Sequence, residues 1–275
     1  MKAGQFALEQ FATLDETLKS LAGSDSARPL AGGQSLVPML NLRLAPASMV
    51  VDLTRIEALR EVRELDGSVL YGATLRHADF EDGRVPDSTN GLMRHVAARI
   101  AYRAVRNRGT IGGALALADP AADWLTTAVL LDARIHLASA AGQRHVAAGE
   151  FVTGPYMTVL EEGELITGVE VAKFSSQASW GYYKVMRKTG EYADSLAMAV
   201  LDRSAGHARV VLGAIDDAPL VLEQTAAALL NDAGAAQLAD VVSRDLAASG
   251  RDFAPHQLIL HRTSVCRAID NLRLK

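Results

Sequence analysis

The glycines set the tightest limits on this chain. Of its 22 glycines, no two are spaced G-x-G. That removes the fingerprint of doubly wound dinucleotide folds and the glycine loop of kinases, which both need that spacing to bring backbone close to phosphate. No GxxxxGK[ST] run is present, so a P-loop is excluded as well. Two adjacent pairs stand out instead. Gly32-Gly33 lies in Ala31-Gly-Gly-Gln-Ser35, and Gly112-Gly113 lies in Thr110-Ile-Gly-Gly-Ala114. The first pair follows an extended run, Arg28-Pro-Leu30, and precedes a helical one, Ser35 to Arg43. Adjacent glycines can turn successive N–H groups into a concave nest, and a helix N-terminus adds positive partial charge. Ser35 and Thr110 add hydroxyl donors. Either pair alone also fits an ordinary turn.

Two cradles in one chain suit a pyrophosphate held from both sides. A dinucleotide bound without the Rossmann fingerprint points to FAD more than to NAD. On this reading Gly112 is glycine because a side chain would block the phosphate or because the backbone needs a glycine-only conformation. A serine nucleophile at Ser35 is disfavoured, because the G-x-S-x-G elbow would need glycine where Val37 stands. HExxH is absent and the seven histidines are scattered; His256 and His261 read as surface or helix-face residues rather than metal ligands. The single cysteine allows no internal disulfide, zinc ribbon, four-cysteine cluster or CxxC motif, and suggests a reducing, cytoplasmic setting. With 28 Lys+Arg against 32 Asp+Glu, the net charge of -4 argues against a nucleic-acid binder. No uncharged apolar run approaches the ~18 residues of a membrane span. The chain reaches Glu9 before any apolar stretch, so no signal peptide is expected.

No repeat of solenoid period is visible. Thr13 to Glu16 has capping-box spacing, and Gly23 offers a stop, which predicts a short helix between them. Strands are expected at 28–30, 49–53 and 69–73, and helices over about 90–103 and 121–131, with a loop at 106–113 between those two helices. From residue 134 antiparallel strands are expected at 134–137, 143–146, 165–171, 180–187, 196–201 and 209–215. Helices follow over 221–230, 235–248 and from about 255. A boundary is expected near Lys173, where Phe174 to Ser179 reads as a linker. Strands first and helices after favour an α+β class.

Taken together, these motifs resemble the flavin-binding subunit of molybdenum hydroxylases, the xanthine dehydrogenase and carbon monoxide dehydrogenase family. Ala31 to Leu44 is similar to the family's first FAD motif. Arg106 to Ala114, followed by Ala118-Asp-Pro-Ala-Ala-Asp123, is similar to its second, and Arg187 to Ala193 to the start of its C-terminal domain. The resemblance covers essentially the whole chain. It implies an FAD domain of the vanillyl-alcohol-oxidase/PCMH type over 1–173, in subdomains of about 1–56 and 57–173. A small sheet-plus-helices domain over 174–275 would follow. It further implies non-covalent FAD in this chain and a doubled three-chain complex. The iron–sulfur small subunit would carry [2Fe–2S] clusters, and the large subunit the molybdenum cofactor. Electrons would pass from the [2Fe–2S] partner through FAD to an external acceptor.

Residue by residue, the resemblance puts the pyrophosphate grip on Ala31, Gly32, Gly33, Gln34 and Ser35, flanked by Leu30 and Leu36, and on Thr110, Ile111, Gly112, Gly113 and Ala114. Asp123 matches a position that meets ribose or ribityl hydroxyls, with Asp119 close by; both could equally be helix N-caps. Ile100 and Ile166 match apolar positions near the flavin, or are plain core. Lys184 and Tyr192 match positions at the isoalloxazine ring, or are a surface lysine and a packed aromatic. Ala114 stands where Asn, Asp or Ser is common, and Gln34 where many members have His. Arg99, Arg103 and Arg106, at i, i+4 and i+7, would share a helix face, with Arg94 and Arg108 extending it. That stripe is read as a solvated face, a dock for an acidic partner or a shield for the pyrophosphate. Two other functions remain open from sequence: a stand-alone FAD-dependent oxidoreductase, and a binding subunit without flavin.

Overall fold

A computed structural model describes residues 2–272. The chain first builds a three-stranded parallel sheet, order β1-β3-β2, from β1 (Ala7–Gln10), β2 (Ala27–Leu30) and β3 (Met49–Asp52). Helix α1 (Leu14–Ala22) connects β1 to β2, and α2 (Leu36–Asn41) connects β2 to β3. α1 starts at the expected cap, though without the reciprocal backbone bond of a capping box: Thr13 Oγ1 accepts from Glu16 N at 3.3 Å and donates to the Glu16 carboxylate at 2.7 Å. Pro38 sits in the first turn of α2, where its missing N–H costs nothing. β1 escapes sequence reading because Ala-Leu-Glu-Gln lacks β-branched residues; pairing with β3 holds it extended.

The second module is a five-stranded antiparallel sheet, order β4-β5-β10-β6-β7, with helices on its inner face. It runs through β4 (Val62–Glu64), β5 (Ser68–Gly72), α3 (His77–Glu81), α4 (Leu92–Ala97), α5 (Arg103–Arg106), α6 (Ile111–Leu117) and α7 (Asp123–Leu130). It continues through β6 (Arg134–Ser139), β7 (Gly142–Ala147), α8 (Ala148–Phe151), β8 (Val152–Gly154), β9 (Met157–Thr158) and β10 (Leu165–Ala172). α7 is buried at every position, so it fills the centre.

The third module is an antiparallel sheet, β11 (Ser179–Val185), β12 (Ser195–Asp202), β13 (His207–Gly213) and β14 (Leu220–Val221), followed by α9 (Glu223–Leu230), α10 (Ala235–Ala248) and α11 (Pro255–Leu272). All of β12 is buried. Its Ala197, Ala199 and Leu201 pack on the closing helices, while Leu196, Met198 and Val200 join the core built on α7. The α+β class expected from sequence is therefore observed. No helix among the described residues is long and apolar enough to cross a membrane.

Three expectations need correction. The helix over about 90–103 is two short ones, α4 and α5, separated at Ala98–Tyr102, where Ala101 takes φ 43°. The arginine stripe therefore does not lie on one helix face. Arg103 pairs with Glu81 and Asp82, and Arg106 with Glu81 and the carbonyls of Ile100 and Ala101, so neither charge is left for an acidic partner. His261 is not a surface residue: it is 1% exposed, and its Nδ1 lies 2.9 Å from Ser195 Oγ.

Candidate functional site

The two glycine loops meet at the seam between the first two modules. A Cβ on Gly32 would stand 2.2 Å from the Arg108 carbonyl oxygen, and one on Gly113 would reach the Ala31 methyl at 3.9 Å. Backbone pairing of Arg76 with Thr110, and donation from His77 N to Gly109 O at 2.9 Å, hold the second loop in place. His77 lies beneath it, accepting from Trp124 Nε1 at Nδ1 (2.9 Å); burial, then the nearby Arg106 charge, push its pKa down to about 4.

The N–H groups of the two loops are used differently. In the second, Ile111 N donates to Leu75 O at 3.1 Å, Gly112 N to Ala73 O at 2.9 Å, and Gly113 N to Thr110 Oγ1 at 3.1 Å. Ala114 N donates to Thr110 O. In the first loop, among the described residues, no N–H from Ala31 to Ser35 donates to a protein acceptor. Gly33 takes φ +72°, and the Gln34 amide folds back onto Gly32 O at 3.3 Å. Buried or half-buried N–H groups need partners. The first loop is thus the open cradle; the second offers the Thr110 hydroxyl and a backbone wall. Gly112 is glycine for a reason the sequence did not reveal. Its backbone is ordinary helix, and a Cβ there would stand 2.6 Å from the Ala73 methyl, on the protein side rather than the ligand side.

Leu30 and Leu36 flank the first loop, half-buried. Asp119 is buried; its Oδ1 accepts from Ala121 N at 3.0 Å. The phenol of Tyr192 lies beside Asp119, and burial of its hydroxyl end, then that carboxylate, push its pKa up to about 12, although much of the ring is exposed. Tyr156 is raised in the same direction by the same two causes. Asp123 is the first residue of α7 rather than its cap, which is Ala122. It is fully enclosed by protein partners: Lys184 Nζ at 2.8 and 3.1 Å, and the Tyr182 hydroxyl at 2.9 Å. Burial, opposed by Lys184, raises the Asp123 pKa. Lys184 is therefore not a surface lysine. Arg99 lies over the Tyr182 ring at 5.9 Å from its centroid. Ile100 is half-buried at the α4 exit, and Ile166 is buried in the main core.

Sequence reasoning missed a cleft of about 190 Å3 beside the seam, lined by Leu30, Ala31 and Thr110 together with Arg60, Arg76 and Arg108. Arg60 and Arg76 carry no motif; only the fold brings them there. A larger groove, about 420 Å3 along β6 and β7, shares none of the loop residues. The donor set at the seam fits the diphosphate of a dinucleotide: a run of open N–H groups, a buried hydroxyl and three guanidiniums. Three exposed tyrosines, Tyr102, Tyr156 and Tyr192, offer faces to a planar ring.

Comparison with known proteins agrees with this chemistry. Residues 4–173 match the family described as the FAD binding domain in molybdopterin dehydrogenase. The glyceraldehyde dehydrogenase medium chain of Sulfolobus acidocaldarius is 41% identical over 197 residues, covering 71% of this chain and 70% of that one. The carbon monoxide dehydrogenase medium chain of Afipia carboxidovorans is 32% identical over 266 residues, covering 91% and 90%. Among solved structures, a carbon monoxide dehydrogenase from Hydrogenophaga pseudoflava superposes with a TM-score of 0.92 at 31% identity, covering 100% of this chain and 99% of that one. The chain accordingly belongs to the FAD-binding domain family of molybdopterin dehydrogenases.

Proposed function

We propose that the chain is the FAD-carrying medium subunit of a multi-subunit molybdenum hydroxylase. The observation that carries this is the run of open N–H groups from Ala31 to Ser35 in a chain of this family. Those groups would bind the diphosphate, with Leu30 and Leu36 flanking them. Thr110 would donate its hydroxyl, while Ile111, Gly112, Gly113 and Ala114 would form the opposing wall. Asp119 and Asp123 would orient the ribityl side of the site, and Ile100 and Ile166 would supply apolar surface. Tyr192 would cover a ring face, and Lys184, paired to Asp123, would set the local charge. Bound FAD would supply the redox chemistry, linking a partner's [2Fe–2S] cluster to an external electron acceptor. Substrate hydroxylation would belong to the molybdenum-cofactor large subunit.

In this reading the fold is the vanillyl-alcohol-oxidase/PCMH type, with an FAD domain over 1–173 in subdomains of about 1–56 and 57–173, and a C-terminal domain over 174–275. Relatives named as medium chains of dehydrogenases support the partnership with iron–sulfur and molybdenum chains. No His or Cys stands in either loop to bond flavin covalently. Acid precipitation of native protein should therefore release FAD into the supernatant. Colourless protein, or flavin left in the pellet, counts against the reading.

A further inference from the structure

Helix α11 packs on the third sheet and holds the two strands that flank the connection 186–194 by a polar bond each. Asn271 Nδ2 donates to the Tyr182 carbonyl on β11 at 2.8 Å. His261 Nδ1 lies 2.9 Å from the hydroxyl of Ser195, the first residue of β12. The helix sits close: a Cβ on Gly181 of β11 would run into the Ala268 carbonyl oxygen. Ser195 is 0% exposed and His261 is 1% exposed, and the Phe253 ring stands edge-on to the imidazole with centroids 5.1 Å apart.

An imidazole in this place lowers stability. If Ser195 donates to Nδ1, the proton on Nε2 has no acceptor. If Nδ1 donates to Ser195, the Nε2 lone pair has no donor. Nε2 is closed off from solvent and, among the described residues, has no hydrogen-bond partner. A buried polar atom left unmet is destabilising, so leucine would serve packing here as well or better. Burial, opposed by the charge of Asp216, holds the imidazole pKa below its usual value, so the ring is neutral near pH 7 and no buried ion pair explains it. What the histidine supplies that leucine cannot is the bond to Ser195.

Ser195 is the foot of the connection that carries Tyr192, three residues earlier. Asp194 N donates to the Val185 carbonyl at 2.8 Å and closes the base of that connection. Ala193 reaches the main core, but Tyr192 is 61% exposed, so packing does little to fix its ring. Next to Ser195 on β12, Leu196 pairs with Gly213; after Gly213 the chain turns, and Ala214 N donates to Pro120 O, the residue beside Asp119. We propose that His261 is a positioning residue: its bond to Ser195 fixes the foot of the connection and thereby the place of the Tyr192 ring. That the ring faces flavin rests on the reading of the chain as an FAD subunit, whereas the anchoring does not.

The test compares the full wild-type chain with Ser195→Ala, His261→Leu, the double variant, His261→Asn and His261→Gln. Asparagine puts a polar atom where Nδ1 stands, glutamine where Nε2 stands. On flavin-free chains, trypsin cleavage after the exposed Arg187 and Lys188 is timed. On FAD-loaded chains, the dissociation constant and the visible circular dichroism of bound flavin are measured. Ser195→Ala, His261→Leu and His261→Gln should speed cleavage and alter the dichroism. They should also weaken FAD binding by roughly three- to tenfold, since binding must then order one more side chain. His261→Asn should match wild type in all three readouts. The double variant removes both partners of the buried bond, so it should melt like wild type and keep the flavin defect. Ser195→Ala removes a single oxygen and carries the test if a His261 variant does not fold. Unchanged cleavage in Ser195→Ala overturns the anchoring, and equal rescue by asparagine and glutamine overturns the role of Nδ1. Faster cleavage with wild-type affinity and dichroism makes the pair structural only, which overturns the inference while the flavin reading stands. A wild-type chain that takes up no FAD overturns the flavin reading and the inference with it.

Discussion

At the seam, single atoms decide what each residue tolerates. The Cβ position on Gly112 points at Ala73, whereas Gly33 has a left-handed backbone and meets only the side-chain tips of Val37 and Leu30, at 3.1 and 3.3 Å. Gly112→Ala should therefore cost about 1–3 kcal/mol through overpacking, seen in urea unfolding, with cofactor loss following the loss of structure. Gly33→Ala should cost about 1–2 kcal/mol from its positive φ. A Gly112→Ala chain with wild-type stability but no flavin would restore the ligand-side reason for that glycine. Thr110 has two roles, capping α6 and donating a hydroxyl. Thr110→Ser should keep both, while Thr110→Val should lose about 1 kcal/mol of stability and weaken FAD binding. Equal flavin affinity in Val and Ser variants would leave Thr110 only its capping role. The glycine pairs were legible in sequence because adjacent glycines are rare enough to mark a site. Which atoms each Cα faces was not, because Ala73 and Arg108 reach the pairs only through the fold.

Between elements, the same divide recurs. α1, β12 and α10 were readable from caps, apolar runs and spacing. α6 was not: Gly112 and Gly113 lower its propensity, and it stands because Thr110 caps it and Ala73 and Leu75 hold its first turn. The break between α4 and α5 was hidden because Ala98 to Tyr102 contains no Gly or Pro. His77, at the head of α3, ties that helix to α7 through Trp124. The folded chain takes up this proton only near pH 4, the unfolded chain near 6.5, so unfolding binds more protons in between. Stability should then be intact above pH 6.5 and fall as pH drops toward 4, by up to ~3 kcal/mol from this group. His77→Gln should shrink the difference between unfolding at pH 7.5 and at pH 4.5; an unchanged difference would assign the acid sensitivity elsewhere. The Asp123–Lys184 pair ties α7 to β11 with both side chains almost wholly buried. Asp123→Asn or Lys184→Met alone leaves a buried charge and should cost about 3–5 kcal/mol, with the double variant costing less than their sum. In FAD-loaded protein, Lys184→Met should make the flavin harder to reduce, Asp123→Asn easier, and the double variant should shift the midpoint potential little. Simple additivity of both quantities would mean that the two residues do not act as a pair.

Across the whole molecule, one apolar core joins the second and third modules: Tyr71, Trp124 and Ile135 from one pack with Trp180, Met198 and Val211 from the other. Asn90 holds the connecting stretch, donating to Ser175 O at 2.8 Å and Ala178 O at 3.0 Å. Lys184 on β11 and Tyr192 on the connection from β11 to β12 thus reach Asp123 at the start of α7 and Asp119 just before it from the third module, and in the proposed reading the chain assembles this part of the flavin site itself. In the proposed reading a partner has a different role, the delivery of electrons. With one cysteine, half-buried on α11, the chain can build no iron–sulfur cluster of its own. The isolated chain should therefore hold FAD yet show no turnover with organic substrates. Adding the iron–sulfur and molybdenum chains should restore reduction of its flavin, followed as bleaching of the flavin band in anaerobic stopped flow. The complex from the native host should carry iron and molybdenum in parallel with flavin. Rapid bleaching of the lone chain by a small organic substrate would reverse the argument, because the electrons would then enter at this chain and the protein would be a stand-alone oxidoreductase.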